Sequence, residues 1–277
     1  MKVFKKIFDL RNYLHSSSNT VGCVPTMGNI HDGHLSLVKL AKENCDSAIT
    51  TIFVNPMQFG PNEDFSGYPR TLDQDIEKLE KNGCDIVFCP SIDEIYPNNQ
   101  EVTIALPKIS RRLEGRFRPS LFSGVATVVT KLFNIVSPDV AIFGKKDYQQ
   151  LAIIKMLVKQ LCMNVKIISG ETIRDEDGLA LSSRNRYLDK AEREIAPQLN
   201  VVIREIKESL EKKDTNYVAM EYEAGQILSR KGWDVDYVVI RTQNGLLRPS
   251  ENDKELVVLG AAKLGQTRLI DNVEVFV

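Results

Sequence analysis

The segment Ala48–Val54 reads Ala-Ile-Thr-Thr-Ile-Phe-Val, a near-continuous run of β-branched and apolar side chains. A strand with that pattern has no wet face, so it must be covered on both sides. A parallel sheet between two layers of helices meets the requirement, and the flanking sequence supplies the rest of one. Val21–Pro25 reads as a strand, and His34–Asn44 as a helix with Leu35, Val38 and Ala41 on one face. Thr71–Asn82 reads as a helix closed by Gly83, with a strand at Asp85–Cys89. After a loop-rich stretch the spacing predicts a helix over Ser123–Val136, a strand at Val140–Phe143, a helix from Tyr148 to about Leu161 and a strand at Val165–Ile168. The expected fold class is α/β, a doubly wound parallel sheet built from right-handed crossovers. Such sheets bind ligands beyond the carboxyl ends of their strands.

The C-terminal third has a different rhythm. Asp189–Lys213 and Tyr217–Lys231 read as charged helices, and Val235–Arg241, Glu255–Ala262 and Leu269–Val277 as strands with no helix between them. This is an α+β pattern, so the chain is expected to divide into residues 1–177 and a smaller domain of residues 178–277. Lys+Arg 36 against Asp+Glu 37 leaves a net charge of −1, which argues against nucleic acid as the main partner. The N-terminal stretch breaks its apolar residues with charge every few positions, unlike a signal peptide, and no run is long enough to span a bilayer. The five cysteines are odd in number and lack any Cys-x-x-Cys pair, as expected of reduced thiols in a cytoplasmic protein without a zinc site.

Four segments at strand ends carry candidate chemistry. The first is Thr26-Met-Gly-Asn-Ile-His-Asp-Gly-His34, running from a strand into a helix. A helix N-terminus offers unpaired N–H groups and partial positive charge to a phosphate, and histidines at i and i+3 share a face. Gly28 and Gly33 keep side chains away from an approaching nucleotide, although His31 as a plain helix cap explains the motif about as well. The second is Asn55-Pro-Met-Gln58-Phe59, where two carboxamides stand among apolar residues and suit a small, branched, partly polar molecule; an Asn-Pro turn with a packing aromatic is the simpler account. The third is Gly144-Lys-Lys-Asp147 with Gln150, in which Lys146 is the better candidate for a phosphate contact. The fourth is Asp177-Gly-Leu-Ala-Leu-Ser-Ser-Arg184-Asn185, which pairs hydroxyls and an arginine as a clamp for pyrophosphate or serves as a cap and loop.

Taken together, in this order and at these intervals, the four segments resemble the pantoate–β-alanine ligase family. Tyr68-Pro-Arg-Thr71, Lys131-Leu-Phe-Asn134 and Arg268-Leu-Ile-Asp-Asn272 extend the likeness over essentially the whole chain. The resemblance implies a Rossmann-like N-terminal domain, a smaller C-terminal lid and a homodimer joined through the N-terminal domains. It implies condensation of (R)-pantoate with β-alanine, in which the pantoate carboxylate attacks the α-phosphate of ATP. Pyrophosphate leaves, and the amine then displaces AMP from pantoyl adenylate. It further implies ATP contacts from Met27, Gly28, Asn29, Ile30, His31, Asp32, Gly33 and His34, with His34, His31 and Lys146 nearest the chemistry. Gly144, Lys145, Lys146, Asp147 and Ile173, with Leu181, Ser182, Ser183 and Arg184, complete the nucleotide contacts. Gln58 and Gln150 are the implied pantoate carboxamides. Magnesium would be held mainly by the ATP phosphates, with Asp75 a weak candidate ligand and no protein cage.

Two positions depart from the family pattern: Lys145 stands where Glu is common, and Leu121 where a histidine is common. The first points to a peripheral side chain at position 145; the second takes a histidine out of a loop in which Arg118 is the candidate anion contact. Competing readings are an adenylyltransferase that keeps AMP in its product, a synthetase-like partner of RNA and a nucleotide-binding module without chemistry.

Overall fold

The computed structural model describes residues 1–61 and 63–277. The chain divides into two compact units, one of Met1–Gly144 with Ile153–Glu171, the other of Lys145–Ala152 with Thr172–Val277.

In chain order the elements up to the sheet's last strand are β1 (Lys2–Phe4), α1 (Ile7–His15), β2 (Val21–Thr26), α2 (Asp32–Asn44), β3 (Ser47–Ile52), α3 (Leu72–Lys81) and β4 (Ile86–Phe88). There follow two one-turn helices, α4 (Ile92–Ile95) and α5 (Glu114–Phe117), then α6 (Leu121–Val136), β5 (Val140–Gly144), α7 (Tyr148–Gln160) and β6 (Lys166–Gly170). The six strands form one sheet in the order β1-β4-β3-β2-β5-β6, every pair parallel. β3 is buried along nearly its whole length and pairs with β2 from Val21↔Ser47 to Thr26↔Ile52, as its β-branched composition requires. The core against α2 joins Val24 and Ile30 to Val38, Ala41, Ile52, Leu79 and Val87.

The strand order reverses between β2 and β5, since the chain first builds outward through β3 and β4 and then returns to the other side of β2. That switch point places the turn after β2 at the crevice where open α/β sheets take their ligands.

The sequence does not announce β1 or α1. Lys2–Phe4 is only three residues, mostly exposed, and becomes a strand by pairing with Ile86–Phe88.

The second unit contains α8 (Lys190–Ile195), α9 (Gln198–Glu211), α10 (Tyr217–Arg230), β7 (Trp233–Thr242), β8 (Glu255–Leu264) and β9 (Thr267–Phe276). The strands form an antiparallel sheet in the order β7-β8-β9. Leu199, Ile203, Ile206, Leu228, Trp233 and Val258 lie in its core. The single helix expected over Asp189–Lys213 is two helices, because Pro197 has no N–H to continue the ladder and its ring displaces the preceding turn.

The expected domain break at Gly178 falls inside this unit. Leu181 N–H donates to Ile173 O at 2.9 Å and Asp175 N–H to Leu179 O at 2.9 Å, closing a hairpin around Gly178. Arg174 forms a two-pronged ion pair with Asp271 of β9 at 2.7 and 2.8 Å. Those bonds tie residues 173–175 to the second unit.

Candidate active site

The turn after β2 is built on two consecutive left-handed residues, Gly28 at φ +82° and Asn29 at φ +51°. Glycine and asparagine are the residues that tolerate this conformation. A Cβ at position 28 would also meet Asp75 Oδ2 at 3.0 Å and Ile52 Cγ2 at 3.1 Å. Thr26 braces the start of the turn, its hydroxyl donating to Thr51 O at 2.7 Å and accepting from Gly28 N–H at 3.2 Å.

α3 grips the rest. The buried carboxylate of Asp75 accepts from Asn29 N–H at 2.9 Å and from Ile30 N–H at 2.7 Å, and Thr71 donates its hydroxyl to the same group. One turn further along α3, Lys78 donates to Ile30 O at 2.7 Å. The side chain of Ile30 is buried among Val24, Val38 and Leu79, so backbone and side chain are both pinned.

His31 follows as the N-cap of α2, in extended conformation, and His34 is its third helical residue. The two rings lie with centroids 4.0 Å apart. His34 Nδ1 accepts from the His31 backbone N–H at 3.4 Å. A neutral imidazole whose Nδ1 accepts carries its proton on Nε2, so this bond leaves Nε2 as the donor. Helix capping and ligand contact are therefore compatible at this pair: one nitrogen of His34 closes the helix end and the other serves as a donor.

The second segment lies in the same unit. Pro56–Gln58 is a single tight helical turn capped by Asn55, whose Oδ1 accepts from Met57 N–H at 3.3 Å. Asn55 Nδ2 donates to Gly124 O at 3.1 Å and to Gln58 Oε1 at 3.2 Å. Gln58 Nε2 in turn lies 2.8 Å from Met27 Sδ, which joins this segment to the turn after β2. The contact of α6 with the turn is backbone on backbone, since a Cβ at Gly124 would stand 2.3 Å from Met57 O. The aromatic expected to pack the loop does so, Phe59 meeting Phe65 and Tyr68 edge-on.

Arg118, named as an anion contact, is ion-paired with Glu63 and donates to Gln58 O at 3.5 Å. Asp75, named for magnesium, has both oxygens engaged by backbone N–H groups. Among the described residues no group of three His, Cys, Asp or Glu could hold a metal ion.

Of the remaining named residues, Gly144 ends β5 in the first unit and the others belong to the second. Lys145 pairs through its ammonium with Glu274 at 2.7 Å, and Tyr148 donates to the same carboxylate at 2.8 Å. Asn272 donates to Lys145 O at 3.0 Å and to Lys146 O at 2.8 Å, so the backbone of this turn is held by β9. Lys146 and Gln150 are half-buried and Asp147 is exposed. Leu181 is bound to Ile173 as described above. Ser182 caps the short turn Ser183–Tyr187, its hydroxyl accepting from Arg184 N–H at 3.3 Å. The plainer reading of that segment, a cap and loop, is thus realised at Ser182.

Burial disfavours the thiolates of three cysteines: Cys23 is pushed up to about 12, and Cys84 and Cys89 are raised as well. What the first unit gathers is a fixed helix N-terminus, imidazole donors and a carboxamide. Those are tools for orienting an anion and steadying developing charge. Asp75 enters the sequence reading only as a weak magnesium ligand, and its bracing of the turn together with Thr71 and Lys78 was not legible. Their i, i+3 and i, i+4 spacing marks one face of α3, and only the fold shows that this face meets the turn.

The model of the pantoate-beta-alanine ligase family matches residues 2–274. Over 276 residues, 99% of each chain, the sequence is 52% identical to the pantothenate synthetase of Neisseria meningitidis serogroup A. The crystal structure of pantothenate synthetase from Thermus thermophilus superposes with a TM-score of 0.95 at 36% identity, covering 100% of both chains. The pantoate-beta-alanine ligase of Francisella tularensis, complexed with beta-gamma ATP and beta-alanine, gives 0.82 at 37% identity over 99% of this chain and 97% of that one.

Proposed function

Because this chain belongs to the pantoate–β-alanine ligase family and ligates pantoate to β-alanine using ATP, we propose that it does so in two steps on the residues described above. In the first, a carboxylate oxygen of (R)-pantoate attacks the α-phosphorus of ATP and pyrophosphate leaves. In the second, the amine of β-alanine attacks the acyl carbon of pantoyl adenylate, loses a proton and expels AMP, giving pantothenate. Neither step needs a nucleophile from the protein, which agrees with the raised thiols. The work left to the residues is positioning and stabilisation of charge.

The turn Met27–His34 is assigned the ATP phosphates, with backbone N–H groups of the α2 terminus and the imidazoles of His31 and His34 as donors. His34 Nε2–H is the group that faces charge growing on phosphate oxygens as pyrophosphate departs. Gln58 and Gln150 are assigned the pantoate oxygens. Gly144–Asp147, Ile173 and Leu181–Arg184 are assigned the remaining contacts to the nucleotide, with Lys146 and Arg184 supplying positive charge. Lys145 acts through its backbone, its ammonium being spent on Glu274. Magnesium would enter as part of the substrate, held by the ATP phosphates, and would offset their charge, while Asp75, the carboxylate named for it, braces the turn. The same reading makes the protein a cytoplasmic homodimer.

The observation that carries the assignment is the turn after β2: a left-handed corner held by Asp75 and Lys78 that sets two histidines at a helix N-terminus beside the sheet's switch point. A pyrophosphate-release assay tests it. ATP and magnesium with pantoate alone should release up to one equivalent of pyrophosphate per site, and β-alanine should then give turnover with free AMP. Release that does not depend on pantoate, or AMP retained in the organic product, would contradict it.

A further inference from the structure

We propose that Tyr96 is a positioning residue for pantoate, acting through Asn55 to fix the carboxamide of Gln58 with its N–H groups toward the substrate. The proposal rests on the ligase reading above and extends it to a residue outside every segment that the sequence singled out. Tyr96 closes α4, the one-turn helix Ile92–Ile95, and its hydroxyl lies 2.9 Å from Asn55 Oδ1.

The direction of each bond follows from groups that have no choice. Met57 contributes a backbone N–H, which can only donate, so the Asn55 atom it meets at 3.3 Å is the carbonyl oxygen. Gly124 contributes a backbone carbonyl, which can only accept, so the atom it meets at 3.1 Å is the amide nitrogen. The orientation of Asn55 is thereby settled without reference to Tyr96 or Gln58. It follows that the Tyr96 hydroxyl donates, and that Asn55 Nδ2 donates its second proton to Gln58 Oε1 at 3.2 Å.

Both protons of the Asn55 amide and both lone-pair directions of its oxygen are then used, in a side chain that is 1% exposed. A buried network with every member satisfied holds one geometry, because any flip strands a polar group. Its last member is Gln58. With Oε1 occupied by Asn55, the group it turns toward Met27 is Nε2, and a thioether is a weak acceptor that a substrate oxygen readily outcompetes. Gln58 is thus set as a donor that reads an oxygen of the substrate.

The phenol itself is held from two sides. Phe53 packs against its ring at 5.9 Å, and the Lys131 ammonium stands 4.8 Å over the ring face while donating to Gln100. Burial pushes the phenol up to about 12, so it remains a donor throughout the range of any assay.

The test is Tyr96→Phe, which removes one oxygen and keeps the packing, measured in the full-length enzyme by pyrophosphate release. Loss of a neutral hydrogen bond predicts a fall of about three- to tenfold in kcat/KM for pantoate, with kcat/KM for ATP at saturating pantoate unchanged. In a Gln58→Ala background the same substitution should have no further effect, since the residue through which it acts is gone. An unchanged kcat/KM for pantoate overturns the proposal. So does an equal fall for both substrates, or an undiminished effect in the Gln58→Ala background, either of which marks a purely structural role. If the parent enzyme itself shows no pantoate-dependent release, the ligase reading fails and this proposal with it.

Discussion

Removing the Asp75 carboxylate by Asp75→Ala should unfasten the turn that presents the histidines while leaving the sheet intact. The carboxylate is 1% exposed and takes two backbone N–H groups, at 2.9 Å from Asn29 and 2.7 Å from Ile30. Leaving a buried donor unpaired costs about 1–3 kcal/mol, and more where the lost acceptor was charged. The Ile30 bond is fully buried and the Asn29 bond partly so. The two together come to about 3 kcal/mol. At 1.4 kcal/mol per factor of ten, the turn should open about 10²-fold more often. Gly28 and Asn29 add to the effect, because their left-handed conformation persists only while the surroundings enforce it. Amide hydrogen exchange followed residue by residue reads the opening directly: Ile30 and Asn29 should exchange about 10²-fold faster, with β3 and β5 amides unchanged. KM for ATP should rise, and Asp75→Asn, which keeps one acceptor oxygen, should fall between. Exchange at Ile30 within about threefold of the parent would refute the clamp, whatever happened to activity.

Three further outcomes follow from the same geometry. His34→Ala should lower kcat by about 10²–10³-fold, the usual effect of losing one preorganised donor, and near-normal turnover would remove His34 from the chemistry. Gly124→Ala would place a Cβ 2.3 Å from Met57 O, and overpacking of that kind costs about 1–3 kcal/mol. Its kcat/KM for pantoate should fall, and a crystal structure showing Pro56–Gln58 unmoved would contradict the reasoning. Asp177 lies beside Arg193, whose hydrogen bond holds the carboxyl below its ordinary 3.8. A depressed carboxylate stabilises the folded state above 3.8, and that contribution disappears as pH falls through the folded value. Asp177→Asn should therefore flatten the acid limb of the unfolding curve and change neutral-pH stability by no more than about 1 kcal/mol, the pair being solvent-exposed.

Local pattern carried the sheet and lost the clamp. Ala48–Val54 announced a doubly covered strand because its composition excludes a wet face, and the turn after Val21–Pro25 announced itself through Gly28, His31 and His34. Lys2–Phe4 stayed silent because three mostly exposed residues acquire a strand conformation only from β4. The bracing role of Asp75 is invisible for a similar reason: in sequence it is one of two acidic residues in the first turn of a helix, and its meaning lies in a backbone 45 residues away. Arg118, read as an anion contact, is committed to Glu63, a partner 55 residues distant that no spacing reveals. Residues 145–152 read as part of the first domain, yet group with the second unit through Glu274 and Asn272. In each case the deciding bond is long-range, and single-sequence pattern is short-range.

In the two-step reaction a pantoate oxygen becomes bonded to the α-phosphorus of ATP before the amide forms. Pantoate labelled with ¹⁸O in its carboxylate, turned over with ATP and β-alanine, tests this by mass spectrometry of the products. One ¹⁸O should appear in AMP and the other in the amide carbonyl of pantothenate. Label missing from AMP, or found in inorganic phosphate beside ADP, would contradict it.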